Sequence, residues 1–131
     1  QPGQHGTTFG GNPLVCAVGN AVLEHIETDG LVDNAAKRGA ELRTALTAIG
    51  SPLVAELRGR GLLVGVGLSQ PVAQRIVAVA LDHGLIVNAP NESTIRLAPP
   101  LIIGDAEITE FIDTFSAVLN AVLNETPTEA S

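Results

Sequence analysis

Nine residues near the start of the chain, His5-Gly6-Thr7-Thr8-Phe9-Gly10-Gly11-Asn12-Pro13, gather the groups that a small anion needs. Thr7 and Thr8 offer hydroxyl donors, and Gly6, Gly10 and Gly11 let a backbone come close to a ligand. Asn12 followed by Pro13 reads as the N-cap and first position of a helix. The free N–H groups at such a helix end favour negative charge, so the chemistry on offer is recognition of a phosphate. The same residues also suit a polar turn that merely caps a helix. Their spacing is neither that of a P-loop nor that of a G-x-G-x-x-G fingerprint, so residue types alone leave both readings open.

Arg96 is the second chemically loaded position, an isolated cation in the apolar stretch Thr94-Ile95-Arg96-Leu97 just ahead of Pro99-Pro100. A guanidinium in such a setting needs a carboxylate or a path to water, which leaves a structural ion pair and carboxylate recognition as the two options. The remaining candidates carry less. Lys37 is the only lysine, on what reads as the polar face of a helix. Cys16 lies in an apolar helical stretch and reads as a packing residue; one cysteine gives no disulfide and suits a reducing compartment. His5, His25 and His83 share no metal-ligand spacing, and Arg58 and Arg60 flank an expected hairpin turn as solvated or interdomain charges.

Elements must place these groups, and the apolar pattern supplies them. Pro13 to about Glu27 reads as a helix apolar on most of its circumference, which calls for cover on several sides. Leu31 to about Ala48 reads as a one-sided helix that buries Ala35, Gly39, Leu42 and Leu46. Val54–Leu57 and Leu62–Leu68 are expected to be strands joined by a tight turn at Arg58-Gly59-Arg60-Gly61, with Gly65 and Gly67 marking close packing against a helix or a backbone. A third helix follows Ser69-Gln70-Pro71 and ends at Gly84; Leu85–Asn88 and Thr94–Leu97 are the expected third and fourth strands. A last helix starts near Asp105 with Ile108, Phe111, Ile112, Phe115, Val118, Leu119 and Val122 inward. This order predicts an α+β fold, a small, mostly antiparallel sheet covered by helices. Residues 1–30 form a loop and connecting helix, residues 31–124 the small domain, and residues 125–131 a frayed tail.

Composition narrows the function classes. With 131 residues, 45% of them hydrophobic, the chain can bury one ordinary core, and its net charge of −7 argues against a nucleic-acid surface. No apolar run is long enough to span a bilayer. The chain contains no Met and opens on a Pro/Gly loop without a leader pattern, and so it reads as an internal piece of a longer, cytoplasmic protein.

Three blocks carry a family resemblance: His5-Gly-Thr-Thr-Phe-Gly-Gly-Asn-Pro-Leu14, Arg58-Gly-Arg-Gly-Leu-Leu-Val-Gly-Val-Gly-Leu68 and Ile95-Arg-Leu-Ala-Pro-Pro-Leu-Ile102. In this order they resemble the C-terminal part of the class III pyridoxal-phosphate aminotransferases, nearest to the branch that acts on acetylornithine. The ornithine, succinyldiaminopimelate and 4-aminobutyrate branches are similar in the same blocks. The resemblance implies the small domain of a fold-type I enzyme, pyridoxal 5'-phosphate as cofactor and a homodimer. It further implies small amino and 2-oxo acids as partners, with the amino group of N2-acetyl-L-ornithine passing to 2-oxoglutarate in arginine biosynthesis. Thr8, and behind it Thr7, would bind the cofactor phosphate of the neighbouring subunit, and Arg96 would pair with a large-domain glutamate or receive a substrate carboxylate. One departure stands out: no residue here matches the Schiff-base lysine, since Lys37 lies outside the motif that carries it. The catalytic lysine and the aspartate that holds the pyridine nitrogen would come from upstream chain, and this stretch alone would be inactive. Two readings of other classes remain, a stand-alone amino-acid-sensing domain and a purely structural dimerisation domain.

Overall fold

Capping chemistry starts the first helix where the sequence places it. In this computed structural model, which describes residues 6–125, the Asn12 carboxamide oxygen accepts from the Val15 N–H at 3.0 Å, and Pro13 occupies the first turn of α1 (Pro13–Thr28). Gly30, at φ 64°, ends that segment before α2 (Leu31–Ile49). The chain divides into two compact units, one through Asp33 and one from Asn34 onward. In the first, no residue of α1 is buried, and Leu14, Val18, Val22 and Leu23 are all more than half exposed. Cys16 shares that exposure, which corrects its reading as a packing residue: a helix that buries nothing has no interior to offer it.

The second unit holds β1 (Val54–Arg60), β2 (Leu63–Leu68), α3 (Ala73–Asp82), β3 (Asn88–Asn91), β4 (Thr94–Leu97) and α4 (Asp105–Glu125). The strands form one antiparallel sheet in the order β1-β2-β4-β3, an α+β arrangement as expected. Two strand boundaries differ from the expectation. β1 continues through Arg58, Gly59 and Arg60, which pair with Gly65, Val64 and Leu63, so the turn is made at Gly61 and Leu62. Gly61, with φ 54°, takes the left-handed position a tight connection requires, whereas Gly59 stays within the paired strand. The third strand is Asn88–Asn91, three residues later than Leu85–Asn88. Leu85 instead donates its N–H to the Ala80 carbonyl and closes α3, and pairing across the Glu92-Ser93 turn sets β3 against the four-residue β4. Pro90 is tolerated there because β3 is an edge strand.

Period-two alternation gives the sheet two distinct faces. Val64, Val66, Ile95 and Leu97 point into the core, where they meet Leu42 and Leu46 of α2, Ala73, Ile76 and Ala80 of α3, and Phe115, Val118, Leu119 and Val122 of α4. Phe115 is fully buried and stacks on Phe111 with ring centroids 5.2 Å apart. The other face carries Glu56 and Arg58 of β1, Gly65 and Gly67 of β2, and Thr94 and Arg96 of β4. Among the described residues no helix is long and apolar enough to cross a membrane. Glu125, expected at the head of a frayed tail, is the last residue of α4 and is ion-paired to Arg75; residues 126–131 of that tail lie outside the described residues.

Candidate functional site

Thr7 and Thr8 take different roles in the loop ahead of α1. The Thr7 hydroxyl oxygen accepts the Gly10 N–H at 3.1 Å, so it is engaged in the turn itself. Thr8 makes no hydrogen bond among the described residues, and its hydroxyl is exposed beside the glycine pair. The Asn12 amide donates to the Phe9 carbonyl at 2.6 Å while its oxygen caps the helix, and Gly11 turns the chain at φ 76°. The described part of the loop thus presents neutral donors at a helix N-terminus. His5 lies outside the described residues.

Arg96 sits mid-strand on the open face of β4, paired in register with Gly65 on one side and Asn88 on the other. It is exposed, and its guanidinium has no hydrogen-bond or ion-pair partner among the described residues. The structural ion pair, one of the two options read from the sequence, is not made among the described residues. Beside it opens a cavity of about 600 Å³ lined by Ile86, Asn88, Arg96, Pro99, Ile103 and Phe111 among others. Its wall is mostly apolar, with Leu42, Leu97, Ile108 and Phe111 from the core side of the sheet, whereas the Arg96 side chain belongs to the opposite, open face.

The rim of that cavity is fixed from α2. Asn34 donates through its side-chain amide to the carbonyls of Leu101 (2.7 Å) and Ile103 (3.1 Å), and Arg38 bridges Glu41 and Asp105 at the start of α4. Hydrogen bonding to Glu41 and then to Asp105 raises the Arg38 pKa above its usual value. Asn34 was not singled out in the sequence; a carboxamide on an otherwise one-sided helix, 67 positions from its partner, leaves no local signal.

Arg58 was read as flanking a turn, but it lies inside β1 and reaches across β2. Its guanidinium contacts Glu56 at 3.1 Å and donates to the Thr94 hydroxyl of β4 at 3.0 Å. Gly65 and Gly67 make this crossing possible. A Cβ at Gly65 would touch the Arg58 Cγ, and one at Gly67 would come within 2.6 Å of the Glu56 Cγ, so the glycines leave room for side chains of β1. Close packing against a helix or a backbone, expected from the sequence, is corrected accordingly. Lys37 is exposed on α2, and no group of residues with metal-ligand geometry occurs among the described residues.

Known proteins carry the same pattern. The model of the family Aminotransferase class-III matches residues 1–119. The chain belongs to the class III aminotransferase family. This class III chain is 46% identical over 120 residues to the acetylornithine aminotransferase of Streptomyces coelicolor and 47% identical over 119 residues to that of Mycobacterium tuberculosis. These alignments cover 92% and 91% of the chain and 30% of each relative, so the chain spans about a third of the length of the relatives it matches. Among solved structures, it resembles acetylornithine aminotransferase from Elizabethkingia anophelis with a TM-score of 0.81 at 31% identity, covering 92% of this chain and 33% of the other. It also resembles ornithine δ-aminotransferase from Plasmodium falciparum with a TM-score of 0.82 at 30% identity, covering 96% and 33%. The α+β sheet and helices of the class III chain are those of the small domain in such neighbours.

Proposed function

We propose that this chain is the cofactor-phosphate loop and C-terminal small domain of a cytoplasmic, homodimeric, pyridoxal-phosphate-dependent aminotransferase of arginine biosynthesis. The enzyme passes the amino group of N2-acetyl-L-ornithine to 2-oxoglutarate, giving N-acetyl-L-glutamate 5-semialdehyde and L-glutamate. The observation that carries this reading is the family match over residues 1–119 together with relatives named acetylornithine aminotransferase at 43–47% identity.

The residues present fit the phosphate end of the cofactor. Thr8 offers an exposed hydroxyl, unbonded among the described residues, beside Gly10 and Gly11 at the start of α1, and Thr7 braces the turn that presents it. Pyridoxal phosphate, when bound, supplies the electron sink that lets an amino group move between an amino acid and a 2-oxo acid. This chain's residues hold and orient: Thr8 takes the phosphate, and Arg96, exposed on the open face of the sheet, meets a carboxylate. Lys37, exposed and outside the family's lysine motif, serves neither role, so the 131-residue chain by itself is expected to transaminate nothing.

The likeness to ornithine δ-aminotransferase supports a second reading, with ornithine as donor. A donor screen separates the two. The aminotransferase that carries this chain is assayed with 2-oxoglutarate against N-acetylornithine, ornithine, 4-aminobutyrate and succinyldiaminopimelate. The highest kcat/KM is expected for N-acetylornithine; a clear preference for another donor reassigns the branch, and turnover with none of them rejects the proposal.

A further inference from the structure

Two edges bound the sheet, and they are protected unequally. β1 carries a bulge between Val54 and Glu56 and the charged side chains of Glu56, Arg58 and Arg60, features that keep another strand from pairing with it. At the opposite edge, β3 has its own irregularity between Asn88 and Asn91 and a proline at position 90. The three residues that lead into β3, Leu85-Ile86-Val87, carry neither charge nor proline.

Those three residues are strand-forming in type and in pattern. Exposure alternates from Leu85 to Pro90: Leu85, Val87 and Ala89 are half-buried against the core, and Ile86, Asn88 and Pro90 are exposed, Ile86 to 86%. The sequence therefore reads as a strand from Leu85, yet pairing with β4 begins only at Asn88. Leu85 donates its N–H to the Ala80 carbonyl, and among the described residues the main-chain groups of Ile86 and Val87 have no hydrogen-bond partner. Beside them lies the cavity of about 600 Å³, whose wall includes Leu85, Val87, Leu97, Ile103 and Phe111. An edge with open hydrogen-bonding groups next to an apolar hollow is the receiving half of a strand addition: main-chain bonds hold the incoming segment, and its alternate side chains fill the hollow.

The occupant must be extended and aliphatic at alternate positions. The segment past Glu125, Thr126-Pro-Thr-Glu-Ala-Ser131, has no large apolar side chain and does not qualify. This chain aligns to only 30% of each relative, so the enzyme of the aminotransferase reading has further polypeptide to supply the segment. We propose that residues 85–88 receive an additional β-strand, an extended segment of the aminotransferase polypeptide that precedes residue 1, whose alternate aliphatic side chains fill the cavity. The assignment rests on the aminotransferase reading, which supplies the longer chain. The added strand covers the unguarded edge and ties the small domain to the rest of the enzyme by main-chain bonds.

Amide hydrogen exchange tests it in the 131-residue chain and in the aminotransferase that carries this chain. At least one of the Ile86 and Val87 amides is expected to exchange on the order of 100-fold more slowly in the longer enzyme. Equal exchange in both, or protection in the 131-residue chain that grows with its concentration and so points to a second copy, overturns the proposal. Ile86→Asp is expected to leave Tm of the 131-residue chain unchanged and to lower that of the longer enzyme; equal shifts in the two overturn it. A photoreactive benzophenone side chain placed at position 86 of the longer enzyme then identifies the occupant. The expected product has the mass of one subunit and joins position 86 to a segment before residue 1 with aliphatic residues at alternate positions. A product with the mass of two subunits, or a cross-linked segment without that alternation, overturns the assignment. Protected amides in a longer protein that lacks transaminase activity keep the added strand and reject the aminotransferase reading. Active enzyme with unprotected amides does the reverse.

Discussion

Gly39 of α2 packs directly against the backbone of Gly61 in the β1–β2 turn, so that a Cβ on Gly39 would land on the Gly61 carbonyl. Arg43, one turn further along the helix, donates to that same carbonyl at 3.2 Å. The helix and the hairpin that carries Arg58 are therefore held backbone to backbone. Gly39→Ala is expected to destabilise the chain by about 1–3 kcal/mol despite the better helix propensity of alanine, because the obstacle is main chain and cannot rotate away. Gly19→Ala in α1, where nothing lies within 4 Å, is the control and should cost nothing. Urea denaturation of both variants checks the pair, and equal midpoints would contradict the contact.

Phe115 is the largest fully buried side chain and fills the space between α4 and the sheet. Its truncation to alanine is expected to cost about 3–5 kcal/mol, enough to unfold much of a domain of ordinary stability. Thermal melts followed by circular dichroism measure it.

The Arg75–Glu125 pair ties the start of α3 to the end of α4 with two bonds of 2.7 Å. The Arg75 hydrogen bonds hold the Glu125 carboxyl below its usual 4.5. A carboxyl with a lowered folded-state pKa stabilises the fold above its unfolded value, and that stability is lost as pH falls through the folded value. Wild type should therefore lose stability more steeply than Glu125→Gln below pH 4.5, while the two differ by a constant amount near pH 7. Chemical denaturation at pH 7 and at two acidic pH values tests the sign; parallel curves would remove the pair from the account. The effect is small, since both side chains are about half exposed.

Among the described residues Arg96 has no hydrogen-bond or ion-pair partner, so removing it should leave folding nearly untouched. In the longer aminotransferase, Arg96→Ala is expected to lower kcat/KM for 2-oxoglutarate by roughly 1.5–3 kcal/mol of transition-state binding, with Tm little changed. A large fall in Tm with unaltered kcat/KM would make Arg96 structural.

Thr8 is proposed to serve the cofactor of the neighbouring subunit. Thr8→Val should weaken cofactor retention by roughly 1.5–3 kcal/mol, read as release at limiting pyridoxal phosphate. Mixed dimers of Thr8→Val subunits with subunits that lack the catalytic lysine then report geometry. One site in each mixed dimer regains both groups if Thr8 acts across the interface, and activity above the sum of the parents follows. Activity equal to that sum assigns Thr8 to its own subunit.

Local chemistry decided much of this protein from the sequence alone. The start of α1 follows from Asn12 and Pro13, which need only each other and the next turn. The buried faces of α2 and α4 follow from residues three and four apart, such as Leu42 with Leu46 and Phe115 with Leu119, because the helix period alone sets which side chains share a face. The antiparallel α+β arrangement follows from the order of those elements. Tertiary structure decided whatever depends on partners distant in the chain. Strand pairing, and not composition, placed β3 on Asn88–Asn91 and carried β1 through Arg60, since a strand ends where its neighbour stops offering hydrogen bonds. Register alone let Arg58 reach over Gly65 to the Thr94 hydroxyl: a guanidinium, a missing side chain and a hydroxyl on three strands meet only when those strands lie side by side.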